Sequence, residues 1–313
     1  MNFSTMSYFI ALAEERSFTK ASSRLGITQQ TLSAHIAGVE HELGVRLIIR
    51  KVPLELTYAG EVFLGYARRM QDLERSMQQE FQDIAGDERG LLRVGIASTR
   101  SHFIMPRSIA AYQRRRPGIE VDLVEEENEK LIESLQAGQL DLIVATVPKD
   151  IPGLSVQDLY REEVVLVVAK ELLSKLYQGH EDEVVAEVER KGTLQPLADC
   201  PFLLLGKRDI PGDLARQAFR EFGITPTIQV TSSNTETLLD LCAKGAGVFF
   251  CPRRLVFSSL SEEEQTQVRL IHLGDKALYW INVAWRKTDH IWSATEAFYR
   301  TLAEEVGEMH HEG

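Results

Sequence analysis

Apolar residues recur at helical spacing near the start of the chain. "TMSYFIALAEE" puts Met6, Phe9, Leu12 and Ala13 on one side, which predicts a helix. Ser17 is a good N-cap, Phe18, Ala21 and Leu25 follow at helical spacing, and Gly26 allows the positive φ that ends such a segment. Thr28 caps a third helix, where Leu32, Ile36, Val39 and Leu43 form a single stripe before Gly44 stops it. Short helices sharing one small core, the second joined to the third by a tight corner, predict a helix-turn-helix. Opposite the stripe lie Gln30, Ser33, Ala34, Ala37 and His41, with Gln29 and His35 flanking it. The period then shortens: "VRLIIRKVPLELT" reads as two short strands around Lys51-Val52-Pro53, a small wing.

Residues 58–85 lack proline. Ala59, Phe63, Tyr66, Met70, Leu73, Met77 and Ile84 recur at spacings of four and three, interrupted at Glu80. Such a helix is on the order of 40 Å long, too long for the small N-terminal unit to cover its stripe. Such a narrow stripe suits a partner helix, and packing on the body of the same chain is the plainer reading. "AGDERG" breaks the pattern. Beyond it, "LLRVGIAST" reads as a buried strand and a polar loop, followed by a helix, the strand "IEVDLVEEE", a second helix and the strand "LDLIVATVP". This β-α-β-α-β order predicts a parallel sheet. A second unit begins near "EEVVLVVAK", and "SATEAFYRTLAEEV" closes the chain as a helix, leaving His310-His311 in a polar tail read as unstructured.

Charge changes the picture locally. The chain of 313 residues has a formal net charge of -11, which argues against a nucleic-acid binder taken as a whole. Residues 1–60, however, hold six Lys/Arg against five Asp/Glu, so they alone suit a polyanion. Glutamine can donate and accept in one plane, as adenine N6/N7 requires, and Arg46, Arg50 and Lys51 supply charge for phosphates. A merely solvated helix face is the plainer reading. The N-terminus lacks a basic leader pattern and no run approaches a membrane span, which makes the cytoplasm the expected compartment and a membrane partner unexpected.

The stretch "FIALAEERSFTKASSRLGITQQTLSAHIAGVEHELGVRLIIR" resembles the winged helix-turn-helix of LysR-type transcriptional regulators, departing at Gln30, Ala37-Gly38 and Ile48-Ile49. "YQRRRPGIEVDL", "LIESLQAGQLDLIVA" and "TLLDLCAKGAGVFFCPR" resemble the family's effector domain, similar in fold to periplasmic binding proteins. The resemblance implies an α plus α/β protein: a winged helix-turn-helix over 1–57, a linker and dimerisation helix with hinge over 58–90, and an effector domain over 91–313. Lobe I would take about 91–161 and 268–306, lobe II about 162–267. It implies double-stranded operator DNA as one partner, contacted by Ser17, Thr19, Lys20, Thr28, Gln29, Gln30, Ser33, His35, Arg46, Arg50 and Lys51. It implies a small effector as another, at Ser98, Thr99, Arg100, Asn128, Thr146, Val147, Gly206, Lys207, Thr231, Ser232 and Asn234, where Arg100 and Lys207 with the hydroxyls and helix N-termini would suit a carboxylate or another anion. Helix caps and solvated cations are the plainer reading of these groups. A homodimer through 58–85 is expected, with a homotetramer as the larger arrangement.

Enzyme readings find little. No G-x-S-x-G, P-loop or G-x-G-x-x-G occurs, and the histidines lack ligand spacing, so no metal, cofactor or catalytic residue is expected. Cys200, Cys242 and Cys251 are too scattered for a disulfide framework, and buried thiols are favoured over a redox role for Cys200. The competing functional reading is a cytoplasmic solute-binding or catalytic α/β protein whose N-terminal helices make protein contacts.

Overall fold

A computed structural model describes residues 2–86, 88–206 and 209–311. Helix α1 (Phe3–Glu15) starts where the Asn2 side chain accepts the Thr5 N–H at 3.0 Å. Helix α2 (Phe18–Leu25) is capped by Ser17 and ended by Gly26 at φ 65°, where a side chain would be strained. Thr28 caps α3 (Gln29–Leu43). Phe9, Leu12, Ala21, Leu32 and Ile36 are buried together in one core. Leu43, expected inside, is exposed, because the last turn of α3 runs past that core.

Strands β1 (Ile48–Ile49) and β2 (Glu55–Leu56) pair antiparallel as the wing. Glu40 fastens the wing to α3, since its Oε1 accepts the backbone N–H groups of Leu47 at 2.8 Å and Ile48 at 3.2 Å. Helix α4 (Tyr58–Ala85) begins under a Thr57 cap and presses Gly60 against the wing. A Cβ there would overlap the Leu47 carbonyl oxygen.

Three faces of α4 have different neighbours. Phe63, Leu64 and Ala67 pack on α1, with Phe63 edge-on to Phe9 at 4.8 Å. Ala59 and Phe63, read as part of the partner-seeking stripe, therefore belong to the helix-turn-helix core. The apolar row left in solvent is Val62, Tyr66, Met70, Leu73, Met77, Phe81 and Ile84. Phe81 fills the interruption that Glu80 had suggested. The third face docks on the α/β region. Asp72 pairs with Arg75 and Arg286, Arg75 donates to the Gly138 carbonyl, and Gln79 donates to Asp141 at 3.2 Å. Asp83 accepts from the Ser293 N–H at 2.9 Å, the Ser293 hydroxyl at 2.6 Å and His290 Nε2 at 2.7 Å.

The α/β region runs β3 (Gly90–Ala97), α5 (Ser98–Arg115), β4 (Ile119–Glu126), α6 (Asn128–Gln136), β5 (Leu142–Ala145), β6 (Leu154–Ala169), α7 (Lys170–Tyr177) and α8 (Glu181–Lys191). It continues through β7 (Pro201–Leu205), α9 (Ile210–Glu221), β8 (Thr227–Ser232), α10 (Thr235–Ala243) and β9 (Val248–Pro252). Last come α11 (Arg253–Ser259), α12 (Glu262–Gln267), β10 (Val268–His272), β11 (Leu278–Arg286) and α13 (Ser293–His311). Strand β3 lies parallel to β4 and β5, and β7 lies parallel to β8 and β9, as the alternating pattern predicts. Lobe I closes with β11 antiparallel to β5. Strand β6 belongs to both lobes: Leu154–Glu163 pair with β11, and Val164–Val167 pair with β9.

Several expectations need correction. Ser98, Thr99 and Arg100 form the first turn of α5 rather than a loop. The N-terminal half of β6 is polar along much of its length, so hydrophobic periodicity does not mark it as strand; pairing with β11 holds it extended. Residues 268–272, expected in lobe I, form β10, which pairs with β6 Val165–Ala169, and Ile271 is buried in the lobe II core. The backbone of the polar tail stays helical through His311.

Replacing Gly60 with Ala is expected to cost about 1–3 kcal/mol through overpacking. Denaturant unfolding measures it, and an unchanged midpoint would contradict the close approach. Burial would raise the Asp83 pKa, but hydrogen bonds from Ser293 and then His290 outweigh it and hold the carboxyl below its ordinary 3.8. The stability it contributes is therefore complete above that unfolded value and is lost as pH falls through the lower folded value. Thermal melts of Asp83→Asn against the parent should show a deficit at neutral pH that shrinks below about pH 4.

Candidate DNA-reading face and ligand cleft

On α3, the core stripe turns the other side outward. Gln29, Gln30, Ala34, Ala37 and His41 are exposed, and Ser33 is half-buried. The caps have local work: Ser17 Oγ accepts the Lys20 N–H, and Thr28 Oγ1 accepts the Thr31 N–H at 3.1 Å. Thr19 and Lys20 are exposed at the start of α2. His35 turns toward α1, with Nδ1 3.2 Å from Thr5 Oγ1 and its ring edge-on to Tyr8 at 4.9 Å. It braces α3 on α1 rather than standing on the outward face. Arg46 is exposed, Arg50 lies over the Phe18 ring at 5.5 Å, and Lys51 pairs with Glu55 at 2.6 Å. Arg24 is engaged by Glu14 at 2.8 Å and Glu15 at 3.3 Å.

A second concave site lies between the lobes, with a cavity of about 110 Å³. The expected Ser98, Thr99, Arg100, Asn128 and Gly206 line it. Asp209, Pro211, Ser233 and Glu127 line it too, though the sequence reading did not single them out. Lys207 lies outside the described residues. The N-termini of α5, α6 and α9 begin at this cavity, and none is capped by a side-chain hydrogen bond, so their first-turn N–H groups favour negative charge there.

Other expected contacts serve the protein itself. The Thr146 N–H donates to Asn128 Oδ1 at 3.1 Å, and the Val147 N–H donates to Asn282 Oδ1 at 3.1 Å. Val147 is buried in the lobe I core. Ser232 Oγ accepts the Asn234 N–H, and Asn234 Oδ1 accepts the Thr237 N–H, building the start of α10. Thr231 is exposed on β8. Thr146, Val147, Thr231, Ser232 and Asn234 do not line the cavity, whereas Ser233, between β8 and α10, does. A loop of alternating caps cannot be resolved to the lining residue from sequence pattern alone.

Arg100 dominates the electrostatics. It is 4% exposed, its Nη2 reaches the Tyr279 hydroxyl at 3.4 Å, and its Nε and Nη1 are buried without a hydrogen-bond partner. Burial disfavours its charge, yet Tyr279, Tyr160 and Glu162 outweigh this and raise its pKa. Glu162 is 1% exposed, accepts from the Tyr160 hydroxyl at 3.2 Å, and has its pKa raised by burial against the pull of Arg100 and Arg254. Glu162 sits where β6 passes from β11 to β9. The thiols are elsewhere: Cys200, Cys242 and Cys251 are buried, and burial raises all three pKa values, leaving little thiolate. Among the described residues no cluster suits a metal ion, and no helix is long and apolar enough to cross a membrane.

A winged helix-turn-helix joined through a long helix to a two-lobed ligand-binding fold defines a class of ligand-linked DNA-binding regulators. Residues 3–61 match the bacterial regulatory helix-turn-helix proteins of the lysR family, and residues 85–307 match the LysR substrate binding domain. The chain belongs to the LysR family of transcriptional regulators, a membership that decides against the catalytic reading. It is 27% identical over 300 residues to the regulator AlsR of Bacillus subtilis (strain 168), spanning 93% of this chain and 92% of that protein. It is 31% identical over 271 residues to the regulator YcgK of the same organism, spanning 80% of each. In fold it is similar to full-length OxyR C199D from Pseudomonas aeruginosa, with TM-score 0.70, 22% identity and coverage of 98% and 94%. It is also similar to full-length CbnR solved with its target DNA, with TM-score 0.62, 23% identity and coverage of 97% and 100%.

Proposed function

We propose that this regulator acts in the cytoplasm as a homodimer or a larger assembly of dimers, seating two α3 helices on operator DNA and adjusting that seating when a small effector enters the cleft. The observation that carries it is the outward face of α3, where Gln29, Gln30, Ala34 and Ala37 lie in solvent; Arg46 and Arg50, in the wing segment that follows, are exposed as well. Gln29 and Gln30, at the amino end of α3, read base edges, with Ser33 one turn further on. Thr19, Lys20, Arg46 and Arg50 hold phosphates, while Ser17, Thr28 and His35 position the helices. Lys51 serves the backbone once Glu55 releases it. CbnR, which shares the fold, was solved on its target DNA, which supports this docking.

The pairing surface is the outward row on α4. Leu73 is 70% exposed and Ile84 is 74% exposed, a costly arrangement for an isolated chain and a ready seam for a second copy. We assign residues 1–57 to DNA, 58–90 to pairing and hinge, and 91–313 to effector binding, with lobe II ending at His272. A homotetramer requires a further contact, and its formation is read from the sedimentation mass.

Gel-shift titration against the upstream region of its own gene, with scrambled competitor, tests the reading; equal affinity for both sequences at low salt would defeat it. Gln29→Ala should reduce discrimination by about 1–3 kcal/mol. Arg50→Ala should weaken every sequence alike and lower the salt slope by about one. A uniform loss for Gln29→Ala contradicts its base-reading role. Leu73→Asp is expected to shift the sedimentation mass toward the monomer and weaken operator binding. An unchanged mass removes α4 from the interface.

A further inference from the structure

The cleft contains a buried cation, Arg100, and a half-buried carboxylate, Asp209, each with unused hydrogen-bonding capacity. Arg100 enters from α5 in lobe I, and Asp209 precedes α9 in lobe II. Arg100 Nε and Nη1 have no hydrogen-bond partner, and neither does Asp209 Oδ1. Polar groups left this way are expensive, because neither water nor protein replaces their lost hydration. The two interact electrostatically without a hydrogen bond between them: burial raises the Asp209 pKa and Arg100 opposes the rise.

A purely anionic ligand satisfies Arg100 and the helix N-termini but sets like charge against Asp209. A purely cationic ligand satisfies Asp209 but faces Arg100 and three helix N-termini. A molecule carrying both charges on adjacent atoms meets both demands and joins the lobes. The cavity of about 110 Å³ suits a head group of a few heavy atoms, with any larger substituent directed to solvent.

We propose that the effector is a small dipolar molecule of the α-amino-acid class, its carboxylate on Arg100 and the first turn of α5, its ammonium group on Asp209. This rests on the reading of the inter-lobe cleft as the effector site, and it replaces the simple anion that the sequence suggested.

The test is isothermal calorimetry and thermal shift on the full-length protein with the twenty standard amino acids. Each responding amino acid is compared with its deaminated and decarboxylated counterparts, as alanine is with propionate and ethylamine. At least one amino acid should bind, with both single-charge counterparts weaker by about tenfold to a hundredfold. Asp209→Asn should cost the amino acid a similar factor while leaving or improving the affinity of the carboxylate counterpart. If Asp209→Asn fails to fold, the comparison on the parent protein decides alone. Carboxylates binding as well as their amino acids would overturn the dipolar class and leave the cleft reading intact. Binding that survives Ser98→Trp, which fills the cavity, would place the ligand elsewhere and overturn the cleft reading. No response to any amino acid overturns the proposal.

Discussion

A single helix cannot bury all its faces in the unit that begins it, and the architecture follows from how α4 solves this problem. One face completes the helix-turn-helix core through Phe63, Leu64 and Ala67. Another is held on lobe I by Asp72, Arg75, Gln79 and Asp83. The last keeps its apolar row in solvent. The polar docking face and apolar row have different physics. Charge-assisted hydrogen bonds fix orientation and respond to pH and salt, whereas apolar burial is indifferent to direction and strengthens with area. The helix is therefore oriented by lobe I and left free to associate.

The cleft is governed by a related imbalance. Arg100 shares its environment with Glu162 on β6, Tyr279 on β11 and Asp209 at the start of α9. These groups come from both lobes and from the strand that joins them. A ligand that engaged Arg100 would compete with Glu162 for its charge, so occupancy of the cleft would be felt at the lobe crossover through electrostatics as well as contact. Coupling of this kind needs only that the ligand interact differently with two arrangements of the lobes.

Much of the N-terminal unit was legible because its signals are local. Gly26 and Gly44 adopt φ of 65° and 68° at the helix ends their positions suggested, and Leu32, Ile36 and Val39 are buried as their spacing required. The face of a long helix is less legible. Ala59 and Phe63 share the spacing of the outward row, but the small core needs them, and sequence periodicity cannot say which neighbour claims a residue. The cleft was legible only in part. Ser98, Thr99, Arg100, Asn128 and Gly206 come from loops and helix starts that chain order places at the sheet edge. Asp209 could not be distinguished from a surface acid before the fold brought α9 across from α5. Thr146 and Val147 lie off the cavity, and their N–H groups are taken by Asn128 and Asn282, partners distant in sequence.

The continuity of β6 has a mechanical consequence. A strand of 16 residues shared by two lobes, with its latter half flanked by β9 on one side and β10 on the other, resists bending because bending breaks ladder hydrogen bonds. Twisting preserves them, since sheets tolerate a wide range of twist between neighbours. Such a strand would favour torsion about β6 over a wide opening of the lobes. With α4 fastened to lobe I and extending on the order of 40 Å, a rotation of about 5° at one end carries the other by about 3.5 Å, close to the 3.4 Å step between base pairs along one strand of DNA.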